Sequence, residues 1–306
     1  MYGGFNIHFL ISFDDGLRWL LRTRRNRGAK VPTEISSAII ESEVATTQLL
    51  KAKVSSPLLL EILPELTYHA DPSKDLPFDH SYCEYLEGTP YDVFNGNLLG
   101  KIELPEDELN HFIDEYAKIQ IRLSKIQLPY TKIGCIRFDK DDENNTKVGP
   151  LINRNCLMKP NSPHFMGPFS TNKERYLALI DTALHLISLN VLKGKQPVDN
   201  YLWHLEMREL VNASRVLNDK PKELFIKHDD AKGDHMLMNE DGEITGIIDW
   251  EWAYVTTKAE AFTPHWIFNF VYGGPNTLTS NEHKLMMAYN RYDRPDLAEC
   301  VKNGRL

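Results

Sequence analysis

Apolar and polar residues alternate through residues 6–23: Ile7, Phe9, Ile11 and Phe13 fall on one side, Asp14-Asp15-Gly16 interrupts, and Leu17, Trp19 and Leu21 resume the period of two. Side chains of an extended chain point to opposite faces in turn, so this text predicts two strands joined by a tight turn. Over residues 36–53 the period lengthens, with Ile39, Ile40, Val44 and Leu50 at helical spacing and Glu43 on or beside the apolar face. An acid there is either a boundary residue with its head in water or the partner of a buried cation. Strand-like runs follow at 58–62 and 80–86, and the second closes on Glu87-Gly88-Thr89-Pro90, which reads as a hinge.

Beyond the hinge, helical periodicity takes over. Leu109, Phe112, Ile113, Tyr116, Ile119 and Leu123 share one face behind Pro105 and an acidic first turn. Residues 129–168 break the pattern with a strand at Ile133-Gly134-Cys135-Ile136-Arg137-Phe138, an Asp/Asn-rich turn and a polar connection, which predict a surface hairpin and loop insert. Thr171-Asn172-Lys173-Glu174 has capping-box spacing and opens a helix. Another helix is expected at 201–217, with Trp203, Met207, Leu210, Val211 and Val216 in the core, and a last amphipathic helix at 281–292.

Between these helices lies the text with the most chemistry. Asp230 follows the apolar Leu224-Phe225-Ile226, and Asp249 closes the run Ile244-Thr245-Gly246-Ile247-Ile248, with Asp241-Gly242 as the turn after Met236-Leu237-Met238. Both acids therefore emerge at neighbouring ends of one small hairpin. That arrangement suits chemistry on a metal-bound phosphate, because one acid can orient a hydroxyl while the other holds a divalent cation.

Composition narrows the class. With 306 residues, 42% of them hydrophobic, and a net charge of −8, the chain is long enough for two lobes with real cores and is too acidic for general nucleic-acid binding. The local exception is Arg22, Arg24, Arg25, Arg27 and Lys30, either a solvated loop or a surface turned to an anionic ligand. Cys83, Cys135, Cys156 and Cys300 form no CxxC pair and read as reduced thiols, while no apolar run suits a membrane span or a secretory signal. A cytoplasmic protein without membrane or nucleic-acid partners is expected; the oligomeric state is left open.

The hinge strand, His228-x-Asp230, His235 and Ile248-Asp249-Trp250-Glu251, taken in this order, resemble the aminoglycoside phosphotransferase and choline-kinase-like family. Gly3-Gly4-Phe5-Asn6, Glu84-Tyr85-Leu86-Glu87-Gly88-Thr89-Pro90 and Gly246-Ile247-Ile248-Asp249-Trp250-Glu251-Trp252-Ala253 look most like its filamentous-fungal branch. The resemblance implies an α+β, two-lobed protein-kinase-like fold: an antiparallel-sheet lobe over residues 1–88, its first strand apparently missing, and a mainly helical lobe over 89–306. It also implies ATP and Mg2+, with Mn2+ as a possible substitute, and a small hydroxyl compound of aminoglycoside, choline or sugar type as acceptor.

Carried over residue by residue, Asp230 aligns the acceptor hydroxyl and takes its proton, and Asp249 holds the metal. Arg22 meets the phosphates with Glu43 as its ion-pair partner, a place where a guanidinium is chemically acceptable. Gly3 and Gly4 approach the phosphates, Glu84, Tyr85 and Leu86 form the adenine-binding hinge, and His228 braces the catalytic loop. The family's second metal ligand is an asparagine where this chain has His235, an imidazole poorly suited to Mg2+; Asp234 beside it offers an oxygen, and His235 as mere space-filling is an equal alternative. Chains of this branch also usually run on past residue 306. Two other readings stand beside the kinase: a degenerate kinase fold that binds without transferring, and a metallohydrolase built on His228, Asp230, His235 and Asp249.

Overall fold

The protein, seen as a computed structural model, is described at residues 6–25, 32–54, 56–68, 76, 80–91, 105–139, 141–152, 163–192, 196–230, 233–265, 268 and 277–304. Strands β1 (Asn6–Ser12) and β2 (Arg18–Arg24) form the hairpin that the alternation predicts, with Asn6 opposite Arg24 and His8 opposite Arg22. Helix α1 (Thr33–Lys53), a short helix α2 (Pro57–Glu61) and strands β3 (Leu66–Tyr68) and β4 (His80–Glu84) follow. The strands make an antiparallel sheet in the order β1, β2, β4, β3. Helix α2 replaces the strand expected at 58–62. Pro57 fits a first helical turn, where no N–H is needed, and the Ser56 carbonyl accepts from the N–H groups of Leu59 and Leu60.

The chain then adds β5 (Thr89–Pro90), α3 (Glu106–Leu123), the hairpin β6 (Cys135–Asp139) and β7 (Asp142–Gly149), and the short strands β8 (Leu151–Ile152) and β9 (Phe165–Met166). Helices α4 (Asn172–Ser188) and α5 (Pro197–Ala213) precede β10 (Phe225–Lys227), β11 (Met236–Met238), β12 (Ile244–Ile247) and β13 (Tyr254–Thr256). A short α6 (Lys258–Ala261), α7 (Ser280–Arg291) and α8 (Pro295–Asn303) complete the fold. Helix α8 lies beyond the helix expected to be last. Strands β12, β11 and β5 form a second sheet, so the end of the hinge is sewn directly onto the hairpin between the two acids. No helix among the described residues is long and apolar enough to cross a membrane.

The core continues from α1 through α3 to α7. Tyr91 stacks on Phe112 at 4.0 Å, and Tyr116 meets Phe268 edge-on at 4.9 Å. The insert is more than a surface hairpin: Ile133, Cys135 and Ile136 are buried, β6 packs on α1, and Arg137 Nη1 donates to Glu41 Oε2 at 3.0 Å. It covers a side of α1 that the sheet leaves open. Helix α4 is capped by Thr171, whose hydroxyl accepts from the Glu174 N–H, and is anchored by Arg175, which donates to Tyr254 Oη at 3.1 Å and Glu260 Oε1 at 2.5 Å.

Helix α5 corrects the expected core. Val211 is buried, but Trp203, Leu210 and Val216 are 56%, 59% and 80% exposed, and Met207 is half-buried. Among described elements α5 packs chiefly on α4, and the side turned away from α4 leaves Trp203 and Leu210 exposed.

Candidate active site

Alternate residues of a strand share a face, so Arg22 and Arg24 leave β2 on the same side. Arg22 is buried. Its Nη1 donates to both oxygens of Glu43 at 2.5 and 2.6 Å, and its Nη2 to Asp249 Oδ1 at 2.5 Å and Glu251 Oε2 at 3.1 Å. Burial works against the charge, but the carboxylates of Glu43, Asp249 and Glu251 outweigh it and hold the guanidinium well above the ordinary arginine range. Glu43 comes from the buried face of α1, which makes it the partner of a buried cation. Burial pushes its carboxyl up, and Arg22 on both oxygens pulls against that shift. Opposite Arg22, burial and the neighbouring guanidinium hold His8 down to about 4, so its imidazole is neutral near pH 7.

Asp249 follows β12 with φ 67° and ψ 49°, the left-handed conformation, which costs a non-glycine residue about 1–2 kcal/mol. Its neighbours impose it. The Ile248 N–H donates to the His235 carbonyl at 2.8 Å, the Ile248 carbonyl accepts from His228 Nε2 at 3.0 Å, and Trp250 Nε1 donates to the Ile247 carbonyl at 3.0 Å. The result aims the Asp249 carboxylate at β2.

Asp230 sits in the turn after β10 and is buried. The His228 to Ile248 bond joins the segment two residues before Asp230 to the residue before Asp249, so one hydrogen bond ties the two acid-bearing strand ends together. His228 acts here through Nε2 as a donor and packs edge-on against Trp250 at 4.8 Å. That spends the imidazole on structure.

His235 is buried with its ring 4.4 Å from that of His228, and its Nδ1 accepts from the Gly233 N–H at 3.3 Å. Both rings border a small cavity of about 20 Å³ with Tyr116 and His265, whose imidazole burial drives down to about 3. Asp234 is exposed in the turn before β11. Among the described residues no three His, Cys, Asp or Glu side chains are gathered closely enough to hold a metal ion, so the zinc cluster of the hydrolase reading is not formed. The donor set fits Mg2+ differently: the Asp249 carboxylate, 37% exposed, is a hard oxygen, and Mg2+ is commonly held by one or two carboxylates plus substrate phosphates. The imidazole of His235 does not fit that ion.

At the hinge, Glu84 Oε2 accepts from the Glu65 N–H at 3.0 Å, the Tyr85 N–H donates to the Arg18 carbonyl at 3.1 Å, and the Arg18 guanidinium lies 4.5 Å from the Tyr85 ring centre. Arg18 also pairs with Glu87. Leu86 packs so tightly on Gly246 that a Cβ there would stand 2.9 Å from its Cδ1. An open cleft of about 660 Å³ lies beside the hinge, lined by Arg18, Tyr85, Glu87, Met238, Asn239 and Thr245. Gly3 and Gly4 lie outside the described residues, as do Arg27, Lys30 and Cys156.

Residue patterns singled out Arg24 only as part of a basic run and did not join it to Glu251 and Asn6. Glu251 Oε2 accepts from Asn6 Nδ2 at 3.2 Å as well as from Arg22, and stands 3.0 Å from Arg24 Nη1. The available signal was spacing: Arg24 falls two residues beyond Arg22 on the same strand face, and Glu251 two beyond Asp249.

A profile described as the phosphotransferase enzyme family matches residues 8–271. Among solved structures, an ethanolamine kinase from Plasmodium vivax superposes with a TM-score of 0.55 at 14% identity, covering 98% of this chain and 69% of its own. A macrolide 2'-phosphotransferase type I gives 0.51 at 18% identity, covering 99% of this chain and 79% of its own. At these identities the likeness establishes the fold. No curated protein gives a significant sequence match. The profile spans most of the chain, and on that ground the chain belongs to the phosphotransferase enzyme family, with the mixed α and β, kinase-like architecture of its structural neighbours.

Proposed function

We propose that the protein transfers the γ-phosphoryl group of ATP to a hydroxyl group of a small molecule, with residues 1–88 holding the nucleotide and 89–306 the acceptor. The observation that carries this reading is the Arg22 guanidinium bound at once to Glu43 and Asp249, since it joins a basic phosphate contact from β2 to a hard acidic ligand on the strand end tied to Asp230. Glu43 orients Arg22 through Nη1, and Nη2, which donates to Asp249 and Glu251 in the nucleotide-free protein, turns to phosphate oxygens when ATP binds. Asp230 accepts a hydrogen bond from the acceptor hydroxyl, aims its oxygen at the phosphorus and receives its proton as the bond forms. Gly3, Gly4, Glu84, Tyr85 and Leu86 are the nucleotide contacts of this reading, and the cleft beside the hinge supplies room for the base. Mg2+ on Asp249, with Asp234 as a further oxygen, supplies charge neutralisation when bound. Phosphoryl transfer asks for positioning and charge more than covalent chemistry, and the cluster provides both.

The acceptor class is tested by ADP release from Mg2+-ATP in the presence of amino sugars, amino alcohols, macrolides and simple sugars. Release that rises at least about tenfold with one class and yields its phosphomonoester is the expected result. Release that ignores every hydroxyl compound and yields only inorganic phosphate counts against transfer. One observation favours a protein that binds nucleotide without transferring it: His235, packed on His228, leaves no oxygen ligand five residues after Asp230. A chain of that kind would bind Mg2+-ATP and release no ADP.

A further inference from the structure

Arg24, with Glu251, is a charged group of the cluster that the proposed reaction leaves unused. Its side chain is 12% exposed, and its Nε and Nη1 are buried without a hydrogen-bond acceptor. Nη1 stands 3.0 Å from Glu251 Oε2, close enough for attraction between charges but not aligned as a hydrogen bond. The same Oε2 already accepts from Asn6 and Arg22, so it is shared among more donors than one carboxylate oxygen satisfies well. A guanidinium has five N–H donors in a fixed fork and no way to neutralise itself, so buried donors without acceptors are costly.

The surroundings say what would satisfy them. Arg24 shares its strand face with Arg22, and its register partner Asn6 also turns its side chain to Glu251. Glu43, Asp249 and Glu251 outnumber Arg22 and Arg24 by one negative charge, and a divalent cation on Asp249 would reverse that balance. A ligand that brings cation and anionic oxygens together both compensates Asp249 and offers acceptors to the arginines. We propose that Arg24 is a second phosphate-binding arginine, stored on Glu251 in the nucleotide-free protein and transferred to the phosphate chain of ATP when it enters. The proposal rests on the nucleotide-binding reading of this cleft and adds a residue and a stored state to it. Glu251 is then a positioning residue: it keeps the Arg24 charge in the cleft until phosphate replaces it.

Calorimetric titration of the full chain with Mg2+-ATP and with adenosine tests this. Arg24→Gln should weaken ATP binding by about tenfold or more and leave adenosine unaffected, because a charged hydrogen bond to phosphate is lost and no base contact is. Arg24→Lys, which keeps the charge without the fork, should fall between. Glu251→Gln should hold ATP as tightly as the parent or more so, since it releases Arg24 while Arg22 retains both oxygens of Glu43. A structural ion pair would behave otherwise. Equal loss of ATP affinity in Arg24→Gln and Glu251→Gln, or no loss in Arg24→Gln, overturns the proposal while parent binding upholds the nucleotide site. A parent that binds no ATP overturns the nucleotide reading itself. Should Arg24→Gln fail to fold by circular dichroism, the Lys variant and Glu251→Gln decide by the same signs.

Discussion

Asp230→Asn is expected to lower phosphoryl transfer by about 10²–10⁴-fold, the usual range for a lost general base, while Mg2+-ATP binds as before. The side chains are nearly isosteric, so the turn after β10 keeps its shape and the His228 to Ile248 bond is untouched. What disappears is the charge that orders the acceptor hydroxyl and the basic oxygen that takes its proton. Turnover and ATP affinity, measured on the same preparation, separate the two effects. Turnover at the parental rate removes Asp230 from the reaction.

Arg22→Gln should be the most destabilising single change in the cluster, at about 3–5 kcal/mol, the range for removing one partner of a buried ion pair. Glu43 and Glu251, each 3% exposed at the side chain, would lose the guanidinium that makes their burial tolerable, and Asp249 would lose its partner across the cleft. The loss is expected as a lowered urea midpoint with an unchanged slope. Adding Glu43→Gln should recover part of it, because the double change removes a stranded charge as well as a contact. A loss below about 1 kcal/mol, the level of exposed ion pairs, would show that the cluster is solvated in solution.

Local text foretold local structure. The period of two over residues 6–23 and the turn Asp14-Asp15-Gly16 specify β1 and β2, and the pattern around Asp241-Gly242 specifies β11 and β12, because each pairing is made by near neighbours in the chain. The run 58–62 failed for a stated reason: a short apolar stretch fits strand or helix equally well, and Pro57 with Ser56 tipped it to helix. The exposed side of α5 failed differently. Periodicity tells which residues share a helix face but not whether another layer covers that face, and the packing on α5 comes mainly from α4.

The site divides along the same line. Asp230, Asp249 and Glu43 stood out because they fall at strand ends or on an apolar helix face, and the role of Arg22 came from the family resemblance. The pairing of Arg24 with Glu251 was not legible, since it joins β2 to a turn on the far side of the sequence. Asp249 in the left-handed region was equally invisible: it is enforced by His228, His235 and Trp250 together, and no single one of them announces it.

The central claim is that the meeting point of Arg22 and Asp249 receives the phosphates of a metal-bound nucleotide. Titration of ATP into the parent and Asp249→Ala, each with and without Mg2+, tests it most directly. The parent should bind ATP about tenfold or more tightly with the metal than without, and Asp249→Ala should lose that difference. ATP affinity indifferent to Mg2+, or the same metal dependence after Asp249 is removed, would contradict the account.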